Sequence, residues 1–439
     1  MFNIKLPIAI ARNSIVTPIN QWLVKSFVVF TVLLTAPLDY KFWKYVFEDG
    51  LSFFTLFKLT NYVPEFIASN TYWNVFVLVI LSLLTGILWK GKNINYSNLY
   101  HWTRVVLRYR IGIVLVAYGF LKLFPLQMPF PSLSNLHTNY GDFYAWKIYY
   151  HTTGITPWYE SFLGLIEIFA GALLFFRKTT TLGAGVIIGF SGNVFAANLA
   201  YQGGQEYLSL LILISSTFLF VYDFQRLFSL LYKFEQTEPN KIVPEYDVAW
   251  NRGRLIFKSV VGFYLLFIGL SFSFSWSRSP YKYPEGSGLE GTYGYYNVTT
   301  FKVNGLEIPY SRTDSIRWQN VVFESWPTIS IASAKPIILD NSVPNDYRKY
   351  NYERNFESAG VGGRRYFHYE INDTQKILHL VNKNSNHKDE KFELHYEFIG
   401  DSVINLYGSD EQGRQIEAVL QRVNRKYMLL EGRRKPVKL

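Results

Sequence analysis

The chain of 439 residues contains no cysteine. That excludes disulfides, thiolate zinc sites, iron–sulfur clusters and haem attached through thioethers, and with them much redox chemistry. It does not fix a compartment, because a cysteine-free domain folds on either side of a membrane. Histidine is scarce too: His101, His137 and His151 fall in loops or at the edges of apolar segments, and His368, His379, His387 and His395 in the polar C-terminal part. None sits mid-segment, so a b-type haem between two transmembrane histidines is not expected. His137 and His151 share one loop without the spacing of a metal site. There is no Gly-x-Ser-x-Gly elbow and no His-Glu-x-x-His helix, so nothing reads as a hydrolase.

What is present divides near Trp276. Before it run segments long enough to cross a bilayer, each about 20 mostly apolar residues; after it the sequence alternates like a β-sheet protein. A mean hydropathy of +0.04 hides this by averaging the two parts. Seven spans are expected, at about 18–37, 73–89, 106–124, 157–176, 180–198, 206–222 and 255–276. The N-terminal run follows Lys5 and Arg12 but has no small-residue cleavage site, which makes it a retained first helix rather than a signal peptide. Trp43, Trp73, Trp89, Trp102, Trp158 and Trp276 cluster at span ends, as interfacial anchors do.

The formal charge of +11 lies mostly beside apolar segments and on the tail Arg433-Arg434-Lys435-Pro436-Val437-Lys438, not on a basic face with interleaved aromatics, so no nucleic-acid partner is expected. The loops around Lys90, Lys92 and Arg104, at Arg177-Lys178, and from Arg226 through Lys233 and Lys241 to Arg254 are basic. Basic short loops are cytoplasmic. Counting crossings then puts the N-terminus inside and everything after Trp276 outside: a multi-pass protein of a bacterial inner membrane with a periplasmic C-terminal domain.

Charged groups at membrane depth are costly, and each is a functional candidate by default. Glu167 lies mid-span with Gly164 and Gly171 on its face, where a carboxyl must be protonated or paired. Arg108 and Arg110 lie near the cytoplasmic end of the third span and Lys122 near the other. Asn193 and Asn198 are candidates for hydrogen bonding across helices. Asn198, Gln202, Gln205, Glu206, Glu160 and Lys122 would meet at an outer pocket mouth if spans three to six pack together.

The third span carries R-x-x-x-G-x-x-x-x-x-x-G-x-x-K in Arg108, Gly112, Gly119 and Lys122, and the fourth carries E-x-x-x-G in Glu167 and Gly171. Together they resemble the DoxX superfamily of four-helix membrane proteins, over about residues 104–226. The resemblance implies a four-helix bundle with Arg108, Lys122 and Glu167 at recurrent polar positions. Some members are subunits of a thiosulfate:quinone oxidoreductase, and others are partners in membrane redox assemblies. This chain departs from a minimal member by two spans before the bundle and one after it. The linear division is therefore a two-span extension (1–105), the four-helix bundle (106–226), a cytoplasmic loop with the seventh span (227–276) and the β domain (277–439).

In that last domain Lys391–Phe398 alternates strictly, with Phe392, Leu394, Tyr396 and Phe398 on one face. Asn304-Gly305 is a two-residue hairpin signal. Further strands are expected at Tyr293–Val303, Ile316–Phe323, Thr328–Ala332, Tyr366–Ile371, Ile377–Val381, Val403–Tyr407, Ile416–Leu420 and Tyr427–Leu430. About nine short strands point to a small barrel or a sandwich, either filled or, like a lipocalin, holding a small apolar ligand. In the irregular stretch Lys335–Arg365, Gly360-Val361-Gly362-Gly363 reads as a flexible loop or an anion cradle.

Two functions follow as expectations. One is an accessory or scaffold protein whose outer domain recruits a protein partner or lipophilic ligand; it is favoured because no complete catalytic set is visible. The other is a quinone-linked subunit with its ligand near Glu167 and Lys122. The outer mouth of spans three to six faces the side of the β domain, so bundle and barrel could share one partner. A transporter would show an internal repeat, and none is seen.

Overall fold

The computed structural model describes residues 18–50, 52–67, 71–91, 94–238, 248–278, 286–341 and 355–431. Lys5, Arg12, Lys92, Lys241 and the basic tail lie outside them. The chain divides into two compact units, Met1–Phe124 with Ser161–Phe274, and Pro125–Glu160 with Ser275–Leu439. Pro125–Glu160, which the linear division places inside the four-helix segment, thus belongs to the same unit as the β domain.

The first unit is helical. It begins with α1 (Pro18–Thr35), α2 (Tyr40–Asp49), α3 (Phe53–Thr60), α4 (Thr71–Leu88) and α5 (Tyr96–Leu123). The second unit interposes α6 (Leu133–Leu136) and α7 (Ala145–Gly154), after which come α8 (Pro157–Leu174), α9 (Thr180–Tyr201), α10 (Glu206–Leu231) and α11 (Val248–Arg278). Side chains cap several starts: the carboxylate of Asp39 accepts from the Phe42 amide at 2.8 Å, and Asn95 Oδ1 from the Asn98 amide at 3.1 Å.

Each of the seven expected spans coincides with a helix, but the seven-span count does not hold. Among the described residues three helices are long and apolar enough to cross a membrane: Thr180–Tyr201, Glu206–Leu231 and Trp250–Ser277. The apolar parts of α1 and α4 are shorter, Gln21–Thr35 and Tyr72–Leu88, below the roughly 20 residues a straight crossing takes. Helix α5 carries Arg104, Arg108, Arg110 and Lys122, and α8 carries Glu160 and Glu167, which dilute their apolar surface.

Helices α5, α8, α9 and α10 pack in a ring. A Cβ added at Gly183 of α9 would lie 2.9 Å from Leu173 of α8, while α9 packs on α10 and α10 on α5. Leu107, Leu174, Ala184 and Leu219 fill the centre and are 0% exposed.

In the second unit β1 (Gly294–Val303), β2 (Leu306–Glu307), β3 (Asn320–Phe323), β4 (Thr328–Ala332), β5 (Arg364–Asn372), β6 (Ile377–Asn382), β7 (Lys391–Ile399), β8 (Val403–Asp410) and β9 (Gln415–Arg422) form one antiparallel sheet. Pairing of β1 with β9 closes eight of them into a barrel, with β2 as a short hairpin extension of β1. A closed barrel replaces the sandwich alternative and leaves no long free edge. The hairpin turn is Asn304-Gly305, both at positive φ (51° and 81°), as the sequence requires. The expected strand at Tyr427–Leu430 is instead a one-turn helix, α12 (Met428–Glu431). Prolonged alternation is what a strand needs, and Met428-Leu429-Leu430 does not alternate.

The barrel interior is filled. Tyr296, Phe301, Trp318, Phe323, Phe367 and Tyr369 are all at most 1% exposed and belong to one cluster with Leu378, Leu394, Leu406 and Leu420. The interior of an eight-stranded barrel is narrow enough for side chains of this size to fill. The outward residues of β3, β4 and β5 are buried as well: Glu324, next after β3, Thr328, Ser330 and Arg364 are 0–3% exposed. What covers them is the Pro125–Glu160 segment and residues 355–361.

Candidate functional site

In the helical unit the site is built on glycines. Helices α5 and α8 approach so closely that a Cβ at Gly164 would lie 2.5 Å from the Gly119 carbonyl oxygen, and one at Gly171 would lie 3.0 Å from that of Gly112. Small residues at these positions let backbones touch. The contact brings Lys122 of α5 onto Glu167 of α8, where they form a buried ion pair, 6% and 5% exposed. The second carboxylate oxygen of Glu167, Oε2, is buried without a hydrogen-bond partner. The motif residues Gly112, Gly119, Lys122, Glu167 and Gly171 therefore form one constellation.

Arg108 is buried but separate from that pair; its Nε donates to the Leu174 carbonyl at 2.8 Å, the last residue of α8. Arg110 donates to the carbonyls of Thr60 and Tyr62, tying α5 to the end of α3. Both arginines satisfy carbonyls at helix ends that would otherwise be orphaned.

The expected polar mouth is not assembled as a whole. Asn198 is buried but its Nδ2 donates to Val194, within its own helix, at 2.9 Å. Asn193 is exposed. Glu206 accepts from the Gly204 amide at 3.2 Å, a local cap at the start of α10. Gln202 holds the left-handed end of α9 at φ 55°. Gln205 does reach α5, 3.4 Å from the Tyr118 hydroxyl. Glu160 is fully buried and takes the amides of Gln127 and Met128 at 3.0 and 2.9 Å.

The second unit holds a buried polar network on the outer face of the barrel. Glu324 Oε1 accepts from the amide and hydroxyl of Ser134 at 2.7 and 2.6 Å, and its Oε2 from the Leu133 amide at 3.3 Å. The Ser330 hydroxyl donates to Ser134 Oγ at 2.8 Å. Arg364 links Ser330, Asn320 and the His137 carbonyl. Burial pushes the Glu324 carboxyl above its ordinary range, against the opposing pull of the Ser134 donors. Burial, then the Arg364 charge, depresses His137 to about 4, while its ring stacks 3.8 Å from Tyr295 and its Nε2 lies 2.6 Å from the Tyr427 hydroxyl. His151 packs against Phe143 and is depressed to about 3 by burial and by Lys147.

Two further buried pairs complete the network, Lys383 with Glu357 and Arg365 with Glu390. Burial pushes Glu390 up, but Arg365, Lys335 and Asn382 outweigh it and hold the carboxyl below its usual range. The glycine run joins the network too. Gly360 (φ 68°) accepts from the Tyr144 amide at 2.9 Å, and its missing Cβ makes room for Trp146. The run is packed rather than a free loop, and the amides of Gly360, Val361 and Gly362 are taken by the carbonyls of Asp340, Ser358 and Asp142. Among the described residues no group of three metal-ligating side chains occurs, and His137 and His151 have separate surroundings.

Sequence reasoning missed Glu324, Ser134, Ser330 and Lys147. A glutamate beside a strand and a serine in a loop look like surface residues, and no local period marks a contact made across 190 positions. No family model matches the chain, and neither does any curated protein or solved structure.

Proposed function

We propose that this chain is an integral membrane scaffold in the manner of a DoxX-like bundle, carrying a sealed β-barrel outside the cytoplasm to recruit a partner. The observation that carries this reading is the Glu324–Ser134 tie. It joins the barrel to a segment which the loop-charge rule assigns to the same side of the membrane as the domain after Trp276. The filled interior supports it further, since such a barrel has its surface rather than a cavity to offer. On that surface Phe398 and Ile399, adjacent at the end of the β7–β8 hairpin, are 48% and 53% exposed, apolar surface of the kind a partner can cover. The helices supply the anchor, and the barrel supplies specificity.

The test is purification in mild detergent with mass spectrometry of what co-elutes, comparing the natural chain with Phe398→Ser/Ile399→Ser. A stoichiometric partner lost in the variant, with barrel stability unchanged, supports the scaffold; a monodisperse chain with no partner removes its basis.

A second reading, quinone binding at the bundle, is favoured by one observation, the orphaned Glu167 Oε2. A quinol hydroxyl is a donor of the type that oxygen lacks. If Glu167→Gln leaves extracted quinone content and quinone-linked activity unchanged, this second reading is dropped and the scaffold stands.

A further inference from the structure

Strands β1 and β9 pair with Tyr296 opposite Arg422, so the chain enters the barrel and leaves it at one end. Entry to that end follows α11, which stops at Arg278 before β1 starts at Gly294, and the exit leads into α12. The opposite end carries the β1–β2 hairpin, where Val303 pairs with both Leu306 and Ile416.

The exit segment is held firmly at its start. The Val423 amide donates to the Tyr295 carbonyl at 2.9 Å, and the Tyr427 hydroxyl lies 2.6 Å from His137 Nε2. Beyond Tyr427 the side chains turn outward: Met428, Leu429 and Leu430 are 50%, 43% and 62% exposed. Successive residues of a helix point about 100° apart, so three in a row do not form the single stripe that fits a protein groove. They coat most of the circumference of the turn, and a helix surface that is apolar all round calls for an apolar medium all round.

Cations stand beside this coat. A hollow of about 320 Å3 lies between Leu136 of α6 and residues 424–429. Arg425 and Lys426 line it, and among the described residues neither forms an ion pair or a side-chain hydrogen bond. From Val423 to Leu439 the sequence has one acid, Glu431, against six lysines and arginines. Unpaired cations next to exposed hydrocarbon are what a segment lying in a membrane interface needs, phosphate above and acyl chain below. One turn of helix is about 6 Å long, within the roughly 5–10 Å that interfacial segments bury.

We propose that this end of the barrel docks on the outer leaflet of the membrane that the helices span, with an anionic phospholipid surface as its partner. Met428, Leu429 and Leu430 enter the interface, and Arg425 and Lys426 take lipid phosphate at the hollow. The β7–β8 hairpin, with Phe398 and Ile399, lies at the same end, since Val403 pairs with Gln421. Docking therefore brings the partner site of the scaffold close to the membrane, and the proposal rests on that scaffold reading.

Membranes are first washed with alkaline carbonate, and release of the chain into the soluble fraction overturns the membrane reading itself. Because the chain has no native cysteine, a single thiol carries a nitrobenzoxadiazole fluorophore at Leu429→Cys, at Leu430→Cys, or at Leu306→Cys on the opposite end. The full chain is placed in nanodiscs of phosphatidylcholine, with or without phosphatidylglycerol, containing a lipid spin-labelled near the top of its acyl chain. Expected with phosphatidylglycerol are quenching and blue-shifted emission at 429 and 430 and neither at 306, with both effects weaker in phosphatidylcholine alone. Arg425→Gln/Lys426→Gln in the 429 reporter should shift the ratio of docked to undocked barrel about thirtyfold towards undocked, at about 1 kcal/mol per cation, whereas Arg425→Lys/Lys426→Arg retains docking. Should the glutamine variant misfold, added salt in the unaltered reporter is expected to weaken quenching in the same direction. Quenching at 429 no greater than at 306, equal quenching without phosphatidylglycerol, or quenching indifferent to both the glutamine changes and salt overturns the docking while leaving the membrane reading intact. A turn that serves a protein instead gives the first of these outcomes, since the discs hold no other protein.

Discussion

The carboxylate of Glu324 takes both the amide and the hydroxyl of Ser134, at 2.7 and 2.6 Å, across 190 positions of sequence. The pair is fully buried, and it joins the one-turn helix α6 to the wall of a β-barrel. Removing the carboxylate leaves two buried amides and a hydroxyl without their acceptor, at a cost of 1–3 kcal/mol for each unsatisfied group. Glu324→Ala should therefore destabilise the barrel unit by roughly 3 kcal/mol or more, with Glu324→Gln intermediate because its amide oxygen still accepts. Thermal melting followed by circular dichroism checks this, and an unchanged melting temperature in the alanine variant would contradict the tie.

Stability of the same unit should depend on pH through His137 and His151. Their native values, about 4 and about 3, lie below the ordinary 6.5. Between those values the unfolded chain binds protons that the native chain does not. Stability is thus complete above pH 6.5 and falls as the pH drops towards 4, at up to about 1.4 kcal/mol per unit for each imidazole. Denaturant midpoints measured from pH 7 to 4 test the slope, which His137→Gln and His151→Gln should each flatten. A slope that neither change alters would mean the imidazoles are not its source.

The buried Lys122–Glu167 pair predicts a pattern rather than a single number. Losing one partner strands the other charge, so Lys122→Met and Glu167→Leu should each destabilise the bundle by about 3–5 kcal/mol. Removing both should recover most of the loss, since apolar replacements of a buried pair are often near neutral. Tryptophan fluorescence during thermal unfolding in detergent gives the comparison. Additive losses in the double variant would show that the two residues do not act as a pair.

Glycine contacts make a sharper contrast. A Cβ at Gly164 meets the backbone of Gly119 and Leu123 at 2.5 Å, while one at Gly189 meets nothing within 4 Å. Gly164→Ala should push α5 and α8 apart and cost roughly 1–3 kcal/mol. Gly189→Ala should be neutral or add up to about 1 kcal/mol by removing backbone freedom from the unfolded chain. Equal effects in the same melting assay would refute the close crossing.

Much of this was legible in the sequence, and where it was not the reason is physical. The boundary at Trp276 lies two residues from the end of α11. Thr328–Ala332 was read to the residue, and Phe392, Leu394 and Tyr396 turn inward as their alternation requires, although Phe398 stays exposed at the hairpin end. Helical spacing put Gly164 and Gly171 on the face of Glu167 and so anticipated a close helix contact, but that its partner is Lys122 was not read from the sequence, which grouped Lys122 with the outer polar residues instead. Span counting did worse, since apolar length was read without regard to how α5 and α8 bury their charges. Closure of the barrel by β1 and β9, and the docking of residues 125–160 on its outer wall, are long-range pairings that no local period encodes. Asn193 and Glu206 were chosen for polarity near a span, which cannot separate a pocket lining from a cap or an exposed side chain.

The most direct measurement of the central claim uses the absence of cysteine, which makes every introduced thiol unique. Tyr140→Cys and Leu306→Cys sit at positions 74% and 75% exposed in the barrel unit, and Lys178→Cys lies in the basic α8–α9 loop. A membrane-impermeant maleimide applied to spheroplasts should label residues 140 and 306, and should reach residue 178 only after lysis. Labelling of residue 178 in intact spheroplasts, or protection of 140 or 306 until lysis, would contradict an outward-facing barrel carried by membrane helices.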